Sequence, residues 1–306
     1  MIELQRKLLG DTVRNSAFAE AIERTVHRGS VVIDAGSGTG FLSMLAARRG
    51  AKCHLIEEGA VMSLAKRMAR ENGFDDFSFH HSHSSRVKAK IRADVLITET
   101  LGNFAYEENI IETVADAKRF LKPNAHIIPS SIRNFAAPVI DERVYHGVNV
   151  WDTVGYEIDM SAARTISLNN MYVRKIAPAS LLDGEKSVRQ WDEVDFSRHS
   201  KSIRRGSIRW RVPTGVTVYG FCLFWECTLA EDIILSTSPF ADDTHWDQIF
   251  LPLLMPIVMP PHASLSVTIV SNTEKNGVIV GWRTSVLSGE RELSVQDMST
   301  ENGILV

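Results

Sequence analysis

The chain has 306 residues, of which 44% are hydrophobic and 23% charged, as is typical of a globular protein long enough for two domains. A net charge of -3 at pH 7 argues against a nucleic-acid-binding surface, since the basic residues between Lys201 and Arg211 alternate with apolar ones as in a strand. The N-terminus lacks an apolar leader, and Pro252 and Pro256 interrupt the most apolar late run, so we expect a cytoplasmic protein without a membrane span.

The first predicted elements are one or two amphipathic helices between Ile2 and His27, ending near Gly29. Asp11 and Arg14 lie three positions apart and would share one face of a helix. Taken alone, they predict a surface ion pair that contributes little free energy.

A glycine-rich loop follows the first predicted strand, Val31 to Ile33, and precedes a helix from Phe41 to Arg49. After Asp34, its glycines are Gly36, Gly38 and Gly40. Glycine permits positive φ and close approach of a ligand to the backbone, and the helix start offers free N–H groups. The spacing differs from the Gly-x-Gly-x-x-Gly of dinucleotide enzymes and, with Asp34, favours a ligand with a cationic amino-acid portion. We therefore predict S-adenosylmethionine.

The second predicted strand, Lys52 to Ile56, ends in Glu57, whose carboxylate can accept hydrogen bonds from both hydroxyls of a ribose. A nicotinamide cofactor stays open as the less favoured alternative. Alternation continues with helices at 60–71 and 110–121 and strands at 77–80, 93–98 and 126–128. This order predicts the first half of a doubly wound, Rossmann-like α/β fold.

After Pro129 the alternation stops, and short β-type runs at 132–137, 215–227 and 264–270 predict a second, mainly β domain. We place the two domains at residues 1–128 and 129–306. The segment from Tyr156 to Ile176 reads as helical or irregular and has no evident place in a β core.

Glu99 and Glu108 stand at the two ends of a loop that contains Gly102 and joins a strand to a helix. A spacing of nine does not place them on one helical face, but a loop that doubles back would aim both carboxylates at one pocket. A planar guanidinium would relieve their repulsion through paired hydrogen bonds. A simpler interpretation treats Glu107 and Glu108 as ordinary acidic residues at a helix N-terminus.

The histidine-rich tract at 80–83 is the only hint of a metal ion, and no cysteine or further histidine falls nearby at ligand spacing. We predict no metal site. Cys53, Cys222 and Cys227 show neither a disulfide framework nor a zinc pattern, so we expect free, buried thiols.

In order and spacing, the motifs resemble those of the protein arginine methyltransferase family over nearly the whole chain. The loop at 32–44 is similar to the family's cofactor loop, Ile56-Glu57 to its ribose-binding strand end, and residues 99–108 to its double-glutamate loop. Ser236 to Pro239 followed by Thr244-His245-Trp246 resembles its Thr-His-Trp loop. Asp11 to Arg14 resembles the helix segment whose arginine binds the cofactor carboxylate and whose aspartate pairs with that histidine.

The resemblance implies a Rossmann-like methyltransferase domain followed by a β-barrel, with a dimerisation arm at about 156–176 and therefore a homodimer. The implied catalytic residues are Glu99, Glu108, His245 and Asp11. The implied cofactor-binding residues are Arg14, Asp34, Gly36, Gly38, Gly40, Glu57 and Ser84, and the implied acceptor-binding residues are Glu107, Tyr106 and Trp246.

The implied reaction is methyl transfer to a guanidinium, which is a poor nucleophile because its pKa exceeds 12 and its lone pairs are delocalised. The two glutamates would orient it, and His245 would either take up the proton or hold the N-terminal helix to the barrel. We favour protein arginine as acceptor. Free L-arginine or another guanidino metabolite, an unrelated small molecule, and a catalytically silent homologue serving as a dimeric binding module are the alternatives.

Several positions depart from the family's pattern. Thr100 stands where the family usually has Trp, Asn103 and Glu107 where it usually has Tyr, and Ser84 near an acidic residue that helps hold adenine. The chain also begins ten residues before Asp11, so we expect no aromatic N-terminal helix over the cofactor. These departures predict a remodelled acceptor pocket around two unchanged carboxylates.

Overall fold

Residues 2–212, 214–274 and 277–304 are described by a computed structural model, in which one parallel sheet is followed by two antiparallel sheets. The change from parallel to antiparallel pairing falls between Ile128 and Ser131, where the sequence predicts a domain boundary.

Two helices precede the strands and helices of the N-terminal part. In chain order the elements are α1 (Ile2–Gly10), α2 (Thr12–Thr25), β1 (Val31–Ala35), α3 (Phe41–Arg48), β2 (Lys52–Glu57), α4 (Met62–Glu71), β3 (Ser78–His81), β4 (Ala93–Thr98), α5 (Ile110–Ala117) and β5 (Leu121–Ile128). All strand pairs are parallel, in the order β3-β2-β1-β4-β5. The carboxyl ends of the central strands β1 and β4 therefore meet at one edge, where open α/β sheets bind ligands.

The N-terminal region forms two helices, within the one or two that the sequence predicts. They divide at Asp11, whose carboxylate accepts the backbone N–H of Arg14 at 2.9 Å and caps α2. One boundary further along the chain differs from the predicted one. The helix predicted to reach residue 121 ends at Ala117, and Leu121 already pairs with Ala93 as the first residue of β5. A 3₁₀ turn over Lys118–Phe120 continues the helical path up to that residue.

The C-terminal part contains mainly antiparallel strands. Its elements are β6 (Ser131–Val139), α6 (Glu142–His146), α7 (Ser161–Leu168), β7 (Tyr172–Arg174), β8 (Arg189–Asp195), β9 (Ile203–Arg211), β10 (Val216–Ala230), β11 (Ile233–Ser236), β12 (Gln248–Met259), β13 (Ser264–Asn272), β14 (Ile279–Ser288) and β15 (Arg291–Ser299). One sheet has the order β7-β12-β10-β6-β8, with β11 on β10, and the other has the order β15-β14-β13-β9. Contacts of β8 with β9 and of β12 with β15 join the sheets into a barrel-like domain.

The predicted arm lies only partly outside the barrel. Tyr156 and Ile158 are 89% and 62% exposed, but Leu168 and Ile176 are buried and β7 pairs with β12. The expectation that all of residues 156–176 lie outside the core was therefore wrong for its second half. Strand β7 has only three residues, which are too few to show an alternating pattern in the sequence. It forms because its backbone pairs with the edge of β12.

All three cysteines are free and buried, as predicted, and burial raises the pKa of the Cys53 thiol to about 12. Among the helices of the described residues, none is long and apolar enough to cross a membrane. In the same ranges, no group of three or more histidine, cysteine, aspartate or glutamate side chains is arranged to hold a metal ion.

Candidate active site

A cavity of about 640 Å³ opens at the carboxyl ends of β1, β2 and β4. Eleven of the predicted site residues line it: Arg14, Asp34, Gly36, Gly38, Glu57, Ser84, Glu99, Glu107, Glu108, His245 and Trp246. Helix α1 also contributes to the wall, through Leu4, Gln5, Lys7, Leu8 and Leu9. A helix ahead of Asp11 thus borders this cavity, and it contains no aromatic residue.

The glycine loop forms one wall of the cavity. Gly36 has φ +75°, and a Cβ there would lie 2.7 Å from Cγ2 of Thr100. Gly38 has φ +52° and lies beneath Gln5 of α1. Gly40 does not line the cavity but is the left-handed N-cap of α3. The buried hydroxyl of Ser37 has no hydrogen-bond partner among the described residues, so the loop offers a polar atom to a ligand.

Glu57 is half-buried at the end of β2. Its Oε2 lies 3.0 Å from the backbone N of Gly38, and its Oε1 lies 2.6 Å from that of Gly59. A carboxylate has about four acceptor positions, so both oxygens can still receive hydrogen bonds from a ligand. The glycine backbone, the free Ser37 hydroxyl and this carboxylate fit a ribose-bearing cofactor.

Asp34 was predicted to contact the cofactor, but its observed hydrogen bond lies inside the protein. Its side chain is almost fully buried, and its Oδ2 accepts a hydrogen bond from the Ser43 hydroxyl at 2.7 Å. Burial raises the pKa of the Asp34 carboxyl to about 6, while the bonds from Ser43 oppose that rise. Asp34 therefore ties β1 to α3, and its contact with a cofactor stays a prediction.

The double-glutamate loop doubles back at Gly102. A Cβ at Gly102 would lie 2.5 Å from the Cβ of Glu107, so only glycine permits this approach. The backbone N–H of Glu107 donates to the carbonyl of Phe104 at 2.9 Å and closes the turn. Glu99 and Glu108 line one cavity as a result.

The barrel holds this loop from behind. The indole N–H of Trp225 donates to the Gly102 carbonyl at 3.0 Å, and that of Trp246 donates to the Leu101 carbonyl at 2.8 Å. The backbone N–H of Asp247 donates to the side-chain oxygen of Asn103 at 2.9 Å. No sequence motif points to Trp225, although a tryptophan on a buried strand needs a partner for its N–H.

Arg14 and Glu99 form an ion pair, with side chains 6% and 7% exposed. The Nε of Arg14 lies 3.0 Å from Oε2 of Glu99, and a terminal guanidinium nitrogen donates to the same oxygen. The resemblance assigned Arg14 to the cofactor and Glu99 to the acceptor. The structure pairs them with each other, beside the cavity that both line.

His245 and Asp11 are in contact, as the resemblance implied. The ring Nδ1 and the backbone N–H of His245 both lie 2.8 Å from Oδ2 of Asp11. Burial acts to raise the pKa of the Asp11 carboxyl, but hydrogen bonds from Arg14 and His245 outweigh it and lower that pKa below its usual value. Asp11 therefore stays a carboxylate that joins α2 to the barrel.

Two other predicted residues occupy different surroundings. Tyr106, predicted to bind the acceptor, is fully buried and absent from the cavity wall, because its hydroxyl bonds to Asp192 and Asn134 in the barrel. That assignment was wrong. Ser84 lies in the cavity wall, and its carbonyl accepts a hydrogen bond from Arg119 at 2.7 Å.

The family models decide the relationship of this chain to known proteins. A model described as "Methyltransferase domain" matches residues 26–179. A model described as "PRMT5 oligomerisation domain" matches residues 131–305, which is more than half of the chain. The chain belongs to the protein arginine methyltransferase family.

Individual relatives are distant but similar over most of their length. Protein arginine N-methyltransferase 6 of Xenopus laevis is 27% identical over 266 residues, covering 82% of this chain and 78% of the relative. The Trypanosoma brucei PRMT1 enzyme-prozyme heterotetrameric complex with AdoHcy contains a chain that superposes with a TM-score of 0.85 at 21% identity, with 97% of each chain covered. Arabidopsis thaliana protein arginine methyltransferase 10 superposes with a TM-score of 0.81 at 19% identity, with 98% of each chain covered.

Membership of this methyltransferase family confirms the predicted fold class, the predicted class of enzyme and S-adenosylmethionine as the cofactor. The roles of individual residues, the acceptor and the assembly stay predictions.

Glu108 gives this site an expected pH dependence. Burial by the cavity wall, and then the negative charges of Glu99 and Glu107, raise the pKa of the Glu108 carboxyl to about 7. Only the ionised form can pair with a guanidinium, so kcat/KM should rise with pH through an apparent pKa near 7.

Glu107→Gln removes one negative charge beside Glu108 and should therefore move this rise in kcat/KM to lower pH, as measured by pH–rate profiles. Coincident limbs in the two proteins would contradict the assignment to Glu108.

Proposed function

We propose that this arginine methyltransferase methylates arginine side chains of proteins, using Glu99 and Glu108 to hold the guanidinium. The observation that carries the proposal is that both carboxylates line one cavity with the glycine loop and Glu57. A cofactor bound along that loop would share the cavity with the acceptor. Proximity of this kind supplies much of the rate of a group transfer.

S-adenosylmethionine supplies an electrophilic methyl group when it is bound. The two glutamates attract the positive charge of the guanidinium and aim one of its nitrogens, which compensates for its weak nucleophilicity. Glu99 lies in a buried ion pair with Arg14, and burial raises the pKa of the Glu108 carboxyl to about 7.

His245 is the proposed route for the proton that leaves the guanidinium. Its ring lies in the cavity wall, and Asp11 fixes the position of Nδ1. An imidazole held by a carboxylate through one nitrogen can accept a proton at the other. The same contact also holds α2 against the barrel, so His245 has a structural role as well as the proposed chemical one.

The comparisons favour a protein acceptor, since the curated relatives are protein arginine N-methyltransferases. They give no support to a free guanidino metabolite or to a catalytically silent homologue. Labelled cofactor should be supplied in parallel with an Arg-Gly-rich peptide, free L-arginine and cell extract, and the products analysed by mass spectrometry. We expect label in the peptide and in extract proteins. Label in free arginine alone would defeat the proposed acceptor.

We also propose a homodimer in which the exposed first part of the arm, residues 156–160, packs on the Rossmann domain of the other subunit. Apolar side chains project from it, with Ile158 62% exposed, and exposed apolar groups of this kind mark interfaces. The match to an oligomerisation domain supports the assembly.

Ile158→Glu tests this assembly, because an uncompensated charge would be buried at the proposed interface. Light scattering should give twice the 34.1 kDa mass of one chain for the wild type and a single mass for the variant. Ile234→Glu, on the exposed edge of the barrel, should leave the dimer intact. An unchanged dimer in Ile158→Glu would place the interface elsewhere.

A further inference from the structure

A buried polar network joins the double-glutamate loop to the barrel. The hydroxyl of Tyr106 donates to Oδ2 of Asp192 at 2.6 Å and accepts from the side-chain amide of Asn134 at 2.7 Å. Tyr106 is 0%, Asn134 3% and Asp192 8% exposed. The network therefore lies in the interior, where a lost hydrogen bond is not replaced by water.

Arg204 completes the network from a third strand. Its Nε lies 3.1 and 3.0 Å from the two oxygens of Asp192, and a terminal nitrogen lies 2.6 Å from Oδ1. Another bond, of 2.7 Å, runs from Arg204 to the Glu193 carbonyl. Asp192 is thus fixed by a bidentate partner and offers Tyr106 a rigid acceptor.

Tyr106 is close to Glu108 in the chain, so the hydrogen bonds of its hydroxyl affect where Glu108 lies. Tyr106 precedes Glu108 by two residues, and the Asn109 N–H donates to the Tyr106 carbonyl at 3.2 Å. The barrel holds the first half of the loop through the carbonyls of Leu101 and Gly102. In the second half, the Tyr106 hydroxyl makes the corresponding connection.

We propose that Tyr106 is a positioning residue, whose hydroxyl, held by Asp192 and Asn134, fixes Glu108 at the distance from the cofactor cleft that methyl transfer needs. The inference rests on the proposed function, because it acts through Glu108. The hydroxyl, rather than the ring, carries the effect, since the ring also packs against Phe104 at 5.7 Å and would do so as phenylalanine. Asp192 and Arg204 support catalysis from the barrel without touching the acceptor.

Tyr106→Phe removes one oxygen atom and tests the proposal directly. Tyr145→Phe is the matched control, because Tyr145 is also buried and its hydroxyl also makes a hydrogen bond, to Leu254 at 3.1 Å, in a part of the barrel away from the loop. For each protein, kcat and KM are measured with an arginine peptide, and the Kd of S-adenosylhomocysteine is measured by calorimetry. Amide hydrogen exchange is followed over residues 101–110.

In Tyr106→Phe we expect kcat to fall about tenfold or more, as small misplacements of catalytic groups do, with the Kd of S-adenosylhomocysteine within about twofold and faster exchange in the loop. Tyr145→Phe should match the wild type in all three. Unchanged kcat in Tyr106→Phe, an equal loss in Tyr145→Phe, or a loss of cofactor affinity as large as that of kcat would overturn the proposal.

Asp192→Asn extends the test if Tyr106→Phe folds poorly. The amide keeps an oxygen for the Tyr106 hydroxyl but loses the charge that Arg204 holds, so kcat should fall below that of the wild type, again at constant cofactor affinity. A kcat equal to that of the wild type would count against the network. Absence of any arginine methylation by the wild type would instead reject the proposed function, and the exchange comparison then decides whether Tyr106 fixes the loop.

Discussion

Glu108→Gln is expected to lower the rate of methyl transfer by about 10²- to 10³-fold, the usual effect of removing one electrostatic stabiliser from a reaction centre. The amide keeps the shape of the side chain but cannot balance the charge of a guanidinium. Cofactor affinity should stay within a few-fold, because Glu57 and the glycine loop are unchanged. Transfer of labelled methyl to an arginine peptide measures the first effect, and calorimetry with S-adenosylhomocysteine measures the second.

Glu99→Gln should lower the rate of transfer by at least as much, and it also removes the negative charge that pairs with the buried guanidinium of Arg14. Glu107→Gln is the matched control when rates are compared at a pH above the acidic limb of the pH–rate profile. It makes the same chemical change one position away, at a carboxylate that lies over Gly102. We expect a much smaller loss there. Full activity in Glu99→Gln or Glu108→Gln would end the double-glutamate mechanism.

Glu57→Ala should weaken binding of S-adenosylhomocysteine by about 1.5 to 3 kcal/mol, roughly 10- to 150-fold in Kd. The hydrogen bonds lost are those that the ribose hydroxyls would donate to the carboxylate, and release of the Gly38 N–H adds to the effect by loosening the loop. Isothermal titration gives the Kd directly.

Glu71→Ala, which removes a surface carboxylate at the end of α4, should bind the ligand as the wild type does. The assignment would fail if Glu57→Ala kept full affinity. Micromolar binding of NAD by the wild type, without binding of the adenosyl ligand, would overturn the cofactor site as a whole.

The sequence predicts most of the N-terminal fold because its signals are local. The glycine loop is one example: Gly36, Gly38 and Gly40 all have positive φ, which their residue type favours. Strand β7 is the opposite case, since three residues carry no periodicity and become a strand only by pairing with β12.

In the candidate site, too, some features could be predicted from the sequence and others could not. Motifs and resemblance placed most site residues on one cavity, but they did not show which side chains are partners. Arg14 and Glu99 are 85 positions apart, and Trp225 is 123 positions from Gly102. Tyr106 was misplaced for a related reason, because its neighbours in sequence line the cavity while its hydroxyl faces strands that follow much later. Such pairings depend on tertiary packing.

The most direct test of the account is fragmentation mass spectrometry of a peptide with a single arginine after incubation with S-adenosylmethionine carrying a labelled methyl group. We expect the label on the guanidinium of that arginine, none when lysine replaces the arginine, and about 10²- to 10³-fold slower labelling when Glu108→Gln replaces the wild type. Label on another residue of the peptide, or equal labelling by Glu108→Gln, would contradict the assignment of this cavity to arginine methylation.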